Sequence, residues 1–384
     1  MTSRQAGTAA TWDEDVLPGY WQHTIALGPD PDGEGELFAT LVRRGADVKA
    51  APVRHAVVAL HGYTDYFFNT ELADHFAARG FAFYAIDLHK CGRSWRDGQT
   101  PHFTTSLNTY DADLEQALRI VAADTGGAHV CIYGHSAGGL IATLWLDRLR
   151  KRAGSGNIPR VASLLPAGNI PRVASLLPAG NIPRVASLLP AGAANIAGLV
   201  LNSPFFDLHG PAILRSSPTS AALIALGRWR KLKVIRKPTE GGYGSTLHRD
   251  YAGDFDYNLD WKPLGGFPVT FGWINAIRRG QARLHRGLDV GVPNLILRSD
   301  RSVREAPNPD LIQRGDAVLD VTQIARWAGC VGNRTTIVPI TDAKHDVFLS
   351  LPEPRAAAYR ELDTWLDFNV NTDTTSHTTT TGRG

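Results

Sequence analysis

The stretch VCIYGHSAGG, residues 130–139, restricts the possible folds of this chain more than any other part of it. An apolar run, Val130 to Tyr133, leads directly into Gly134-His135-Ser136-Ala137-Gly138, and a helical pattern, LIATLWLDRLR, follows. A strand that turns this sharply into a helix forces its turn residue into a strained backbone conformation with the side chain exposed. That is the setting in which a serine hydroxyl can act as a nucleophile. Gly134 and Gly138 leave room for strand and helix to approach closely. The backbone N–H of Ala137, at the positive end of the helix, is then placed to meet a developing oxyanion.

Strand-like and helical patterns alternate along the rest of the chain, which implies a mostly parallel twisted sheet flanked by helices. Residues 20–27 and 37–42 read as an antiparallel opening pair, and buried strands are expected at 55–60, 81–86, 129–133, 197–201, 294–297 and 335–340. Helices are expected at 106–123, from 137 to about 152, and at about 354–368. Residues 1–18 read as a flexible polar lead and 369–384 as a disordered Thr-rich tail. Between them the chain divides into a first core part, 19–202, an inserted cap or lid, 203–290, and a second core part, 291–368.

Residues 157–192 are the sequence NIPRVASLLPAG three times without a mismatch. The prolines of each copy, Pro159 and Pro166 in the first, exclude a long helix or a central strand. The helix after Ser136 starts at the carboxyl end of its strand and runs back. Its exit loop therefore belongs at the opposite edge of the sheet, and the repeats read as a surface expansion far from Ser136.

A nucleophilic serine needs a base, an orienting acid and oxyanion donors, which can lie far apart in sequence. His61-Gly62-Tyr63 follows an expected strand, and the Tyr63 N–H is the candidate second oxyanion donor. The acid is expected just past a later strand: NLILRSD places Asp300 there. Asp320, in GDAVLDV, is the rival, although it sits in a helical pattern and fits a solvent-facing or turn-capping role better. After Asp300 the chain has two histidines, His345 and His377. His377 lies in the tail, whereas His345 follows the strand TTIVPI, so His345 is the expected base. His135 reads as a structural residue beside the turn.

The order Ser136, Asp300, His345 is that of an α/β hydrolase. The segments HGYTDYF, DLHKCGRS, GHSAGG, SDRS and KHDVFLS together resemble the α/β-hydrolase superfamily. Within it they are most similar to the monoacylglycerol lipase, lysophospholipase and serine aminopeptidase branch. The resemblance implies an α/β-hydrolase fold with a cap. It also implies Ser136, Asp300 and His345 as a catalytic triad, and the Tyr63 and Ala137 N–H groups as the oxyanion hole. Asp87 and Arg93-Ser94 match the family's DxRGxGxS segment, with His89-Lys90 in place of Arg-Gly and Cys91 as an added thiol. SDRS is shorter than the family's GxxD.

Bulk properties narrow the remaining choices. A net charge of +3 on 384 residues gives no case for nucleic acid, and no run approaches a membrane span. Cys91, Cys131 and Cys330 have neither the number nor the spacing of a disulfide framework or zinc site, so the reducing cytoplasm is the expected setting. No cofactor or metal is expected. The cap is rich in aromatic residues, which suits a small-molecule acyl ester, of the monoacylglycerol or lysophospholipid type by resemblance. SAALIALGRWRKLKVIRKP couples an apolar run to Arg228, Arg230, Lys231, Lys233, Arg236 and Lys237 and could touch a lipid surface transiently. An aminopeptidase or amidase is the rival activity, with Glu240, Asp250, Asp254 and Asp256 available to anchor an amino group. A catalytically silent binding protein on the same scaffold is the other alternative.

Overall fold

The computed structural model describes residues 10–45, 53–154, 195–208, 230–238, 241–303 and 309–370. The triple repeat, residues 1–9 and the Thr-rich stretch from 371 onward lie outside the described residues. Among those described, the strands are β1 (Asp13–Glu14), β2 (Tyr20–Pro29), β3 (Glu36–Arg44), β4 (His55–Leu60), β5 (Phe81–Asp87), β6 (His129–His135), β7 (Asn195–Asn202), β8 (Val234–Arg236), β9 (Val269–Thr270), β10 (Asn294–Ser299) and β11 (Thr335–Ile340). The helices are α1 (Thr70–Ala78), α2 (Asp111–Thr125), α3 (Ala137–Gly154), α4 (Phe271–Leu284), α5 (Pro309–Ile312), α6 (Val321–Trp327) and α7 (Pro352–Asn369).

One sheet runs in the order β1-β2-β3-β5-β4-β6-β7-β10-β11, while β8 and β9 pair separately. The pairs β1-β2, β2-β3 and β3-β5 are antiparallel, and every pair from β5-β4 to β10-β11 is parallel. The opening antiparallel pair and the parallel core match the expectation from the sequence. The inner parallel strands β4, β5, β6, β7 and β10 are buried on both faces and read as continuous apolar runs because helices cover each side, whereas β11 at the edge is largely half-buried or exposed.

Strand periodicity distributes these runs between two cores. On β4, Ala56, Val58 and Leu60 enter one apolar cluster while Val57 and Ala59 enter the other. The first cluster is closed by α2, α3 and α4, through residues such as Leu118, Trp145 and Ile277. The second is closed by α1 and α7, through Phe76, Leu362 and Trp365. Truncating a fully buried aromatic such as Phe76 would cost about 3–5 kcal/mol, a large fraction of a domain's stability. Helix α4 lies within the span expected as a cap, yet Trp273, Ala276, Ile277 and Leu284 pack into the main core.

The lead expected to be flexible is in part structured. Residues of β1 pair with β2, and the Asp15 carboxylate receives Nε and Nη2 of Arg93 at 2.6 and 2.8 Å. The β2–β3 turn is likewise tied inward. Glu34 accepts Lys90 Nζ (2.8 Å) and Thr100 Oγ1 (2.8 Å), Asp30 pairs with the same lysine, and Asp32 accepts Thr105 Oγ1 (2.8 Å).

The strand β7 that follows the repeats begins at Asn195, opposite His129 at the start of β6, whereas Ser136 follows the other end of β6. Deleting two of the three repeat copies is expected to leave steady-state turnover within about twofold of the full chain. A well-folded deletion with activity lost would show instead that the segment reaches the site.

Candidate active site

Ser136 joins the last residue of β6 to the first of α3 with φ 51°, a left-handed conformation that an L-residue adopts at a cost of about 1–3 kcal/mol. The turn is held by its backbone: Ser136 N–H donates to Asn202 O at 2.9 Å, and Ser136 O accepts from Phe205 N–H at 3.0 Å. A Cβ at Gly138 would lie 2.3 Å from His61 O, and one at Gly134 would lie 2.8 Å from the Gly139 Cα. Only glycine permits this crossing of strand, helix and neighbouring loop.

That neighbouring loop, after β4, lies beside Ser136: a Cβ on Gly62 would come within 3.1 Å of the serine Cβ. His61 accepts the Leu88 N–H at Nε2 (3.1 Å), so its Nδ1 carries the proton donated to Gly62 O at 2.7 Å. This bond fixes the peptide that leads to Tyr63. Tyr63 and Ala137 both line a small pocket with Gly62, His61, Trp273 and Ile141. Their N–H groups make no protein hydrogen bond among the described residues.

His345 is buried in the loop after β11, and its ring lies 4.9 Å from that of His135, the residue before Ser136. Its Nδ1 is 2.9 Å from Asp316 Oδ2. A carboxylate only accepts, so Nδ1 bears a proton, and in the neutral ring the lone pair is on Nε2. Oδ1 of Asp316 accepts the Val318 and Leu319 N–H groups at 2.8 and 2.7 Å, which locks the carboxylate in place with Asp316 1% exposed.

The expected contact between His345 and Asp300 is not made. Asp300 follows β10 as the sequence suggests, but its carboxylate turns outward to Arg301 Nη2 (2.9 Å) and the Asp342 N–H (3.2 Å). Burial opposes its charge, but the hydrogen bond from Arg301 prevails and lowers its pKa. Asp320 accepts the Thr322 N–H at 3.0 Å as the N-cap of α6, the capping role its helical pattern suggested. The chain after β10 brings Asp316 back through a bridge between Ser302 and Asp316. The sequence signal for this placement is short: Asp316 stands four positions before Asp320, and the residues that follow it turn back on its side chain.

The flanking loops are tied by buried polar bonds. Asp346 accepts Asn202 Nδ2 at 2.6 Å, and its N–H donates to Tyr243 Oη at 2.9 Å. His135 is buried beside it with Nδ1 3.2 Å from Asn202 O; burial lowers its pKa and keeps the ring neutral, in keeping with a structural part. Asp87 accepts the Phe67 N–H (2.8 Å), the Arg93 N–H (3.0 Å) and Arg93 Nη1 (2.9 Å), and Ser94 Oγ donates to Asp87 O (2.7 Å). Cys91 is buried with its Sγ 3.2 Å from His102 Nδ1, and burial raises the thiol pKa well above its ordinary value. Among the described residues no group of three His, Cys, Asp or Glu side chains could hold a metal ion, and no helix is long and apolar enough to cross a membrane.

Asp65 receives Lys262 Nζ at 2.6 Å. Burial works against the charge of Asp65, but the charge and hydrogen bond of Lys262 outweigh it and hold the carboxyl at about 2. A carboxyl whose pKa is lowered on folding contributes stability above its unfolded value near 3.9, and that stability is lost as pH falls toward 2. Asp65→Asn is therefore expected to lower stability at neutral pH by about 3 kcal/mol, because Lys262 is left buried without its partner. Urea midpoints measured from pH 6 to pH 2 should show the gap from wild type narrowing below pH 4.

Residues 51–171 match the family described as serine aminopeptidase, S33. No curated protein matches the chain in sequence. Solved structures do match in shape. The soluble variant of monoglyceride lipase from Saccharomyces cerevisiae, in complex with a substrate analogue, is 15% identical, with 96% of this chain and 97% of that chain covered at TM-score 0.54. The carboxyl esterase from Bacillus coagulans, in complex with glycerol, is 13% identical, with 91% and 98% covered at TM-score 0.52. The monoacylglycerol lipase of Paleococcus ferrophilus is 16% identical, with 91% and 99% covered at TM-score 0.50. With the sheet order and the turn at Ser136, these likenesses show that the chain has the α/β-hydrolase fold, and over residues 51–171 it is similar to the serine aminopeptidase family.

Proposed function

We propose that this chain is a serine hydrolase that cleaves carboxylic esters through an acyl-enzyme, with Ser136 as nucleophile, His345 as base and Asp316 as the orienting acid. The observation that carries the reading is the left-handed Ser136 at the mouth of the parallel sheet, with a buried His345–Asp316 pair at the same edge. His345 Nε2 takes the Ser136 proton as the hydroxyl oxygen attacks the ester carbonyl. Asp316 stabilises the imidazolium that forms. The N–H groups of Tyr63 and Ala137 receive the oxyanion, the alcohol leaves with the proton returned by His345, and water activated by the same histidine releases the acid.

The substrate is an ester of a hydrophobic acyl group, of the monoacylglycerol or lysophospholipid type. Supporting this are the apolar and aromatic side chains that line the pocket, Leu88, Ile141, Trp273 and Tyr63 among them, and the lipase names of the structural neighbours. The basic segment before β9 serves as a transient contact with a lipid surface: Leu232, Val234 and Ile235 are exposed among exposed Arg230, Lys233, Arg236 and Lys237. The free thiols of Cys91, Cys131 and Cys330 suit a reducing, cytoplasmic setting. Peptide hydrolysis is the second reading, favoured by the family match over residues 51–171. Against it, Asp256 already pairs with Arg249 and Asp250 lies 3.8 Å from His248; the other anchor named above, Glu240, lies outside the described residues and bears on neither reading.

Hydrolysis of p-nitrophenyl esters from acetate to palmitate tests the reading directly. Activity should rise with acyl length and be abolished in Ser136→Ala. Serine-dependent activity confined to short esters or aminoacyl amides would favour the second reading, and no activity in folded protein would favour a silent scaffold. The acid is separable by a paired substitution. Asp316→Asn is expected to lower kcat by about 10³–10⁴-fold, whereas Asp300→Asn should remain within a few-fold of wild type. The reverse ranking would restore Asp300 to the triad.

A further inference from the structure

Four consecutive residues of the loop after β4 are gripped by the stretch 258–268. Tyr63 Oη donates to Pro268 O (2.7 Å), and Thr64 Oγ1 accepts from Phe267 N–H (2.9 Å). Asp65 receives Lys262 Nζ (2.6 Å), and Tyr66 Oη accepts from Asn258 N–H (2.7 Å). The Asp65–Lys262 contact differs in kind: it joins two charges whose side chains are 9% and 11% exposed. The second oxygen of Asp65 accepts the Gly62 N–H at 3.3 Å, so one carboxylate links Lys262 to the backbone a single residue before Tyr63.

The loop does not hold this shape by local preference. Thr64 has φ 54°, a conformation that a β-branched residue adopts only when its surroundings impose it. Gly62 also abuts Ser136, so a shift of the loop moves the Tyr63 N–H relative to the serine. The lysine is fixed in turn: its N–H donates to Asn258 O (3.0 Å), and its ammonium lies 5.4 Å from the ring centroid of Phe68 and 5.7 Å from that of Tyr257.

We propose that Lys262 is a positioning residue for ester hydrolysis, whose ion pair with Asp65 sets the Gly62–Tyr63 peptide so that the Tyr63 N–H meets the oxyanion. The inference rests on the proposed role of Tyr63 as an oxyanion donor. A donor of that kind is worth about 10²–10³ in kcat, and one displaced rather than removed loses part of it. The stretch 258–268 thereby completes the catalytic machinery.

The test compares Lys262→Met, Lys262→Gln and Lys262→Arg with Tyr66→Phe, which loosens the same seam without touching Gly62. Lys262→Met is expected to lower kcat by about 30-fold with KM within about twofold, and to weaken binding of an alkylboronic acid by a similar factor. Lys262→Gln, which keeps a neutral donor, should lose less, and Lys262→Arg should recover most of the rate. Tyr66→Phe should keep kcat and boronate affinity while its melting temperature falls. If the folded Lys262 variants keep wild-type kcat, or if Tyr66→Phe loses kcat and boronate affinity as they do, the pair merely stabilises the fold and the proposal fails. Ser136→Ala run in parallel separates the two levels: hydrolysis that survives it would sink the hydrolase reading itself.

Discussion

The backbone of one residue sets the terms for this site. Ser136 occupies a conformation that its own chemistry disfavours, and packing on three sides maintains it: strand β6 before it, helix α3 after it and the His61 carbonyl across from Gly138. The strain is small beside the apolar burial around it. Leu60, Ile132, Leu140 and Leu201 are fully or almost fully buried within a few residues of the turn, and at about 1.5–3 kcal/mol for each such side chain they outweigh it several times over. The rigidity that results allows two N–H groups, from Tyr63 and Ala137, to line the same small pocket without a large cost in ordering.

The carboxylate beside His345 shows how an α/β scaffold separates placement from chemistry. The end of β10 is a fixed address, and Asp300 occupies it, yet an arginine next in sequence and the turn at Asp342 draw its carboxylate away from the site. The chain then spends a further stretch of loop and two short helices, α5 and α6, before β11. Asp316 enters from that loop with one oxygen saturated by two backbone N–H groups and the other free for His345. A carboxylate held in this way cannot turn aside without breaking two bonds, which suits an orienting group.

Much of this was legible in the sequence because it depends on local patterning. The strands His55–Leu60 and Thr335–Ile340 have the bounds their apolar runs suggest, and the turn at Ser136 and the place of His345 after β11 follow from strand-to-loop transitions. Which carboxylate meets His345 was not legible because it depends on where a side chain points after a strand ends, and Asp300 points to Arg301. Nor does helical periodicity separate a cap from a core: α4 shows an amphipathic pattern in either case, and only the packing of Trp273 and Ile277 against α3 and the sheet assigns it. The tie from Asp15 to Arg93 spans 78 positions, and no window-based pattern could see it.

The β2–β3 turn carries a debt to the opposite end of that logic. Lys90 is 1% exposed and sits in the loop beside the site, with both of its carboxylate partners, Asp30 and Glu34, on a hairpin that precedes it by more than fifty residues. A charge so thoroughly removed from water is tolerable only after its counter-ions arrive. In the folded state the loop that frames the pocket is thus held by the amino-terminal hairpin, which ties the outermost antiparallel edge to order at the centre. A lesion in that hairpin would therefore be felt at the pocket beside Ser136, although none of its residues lines that pocket.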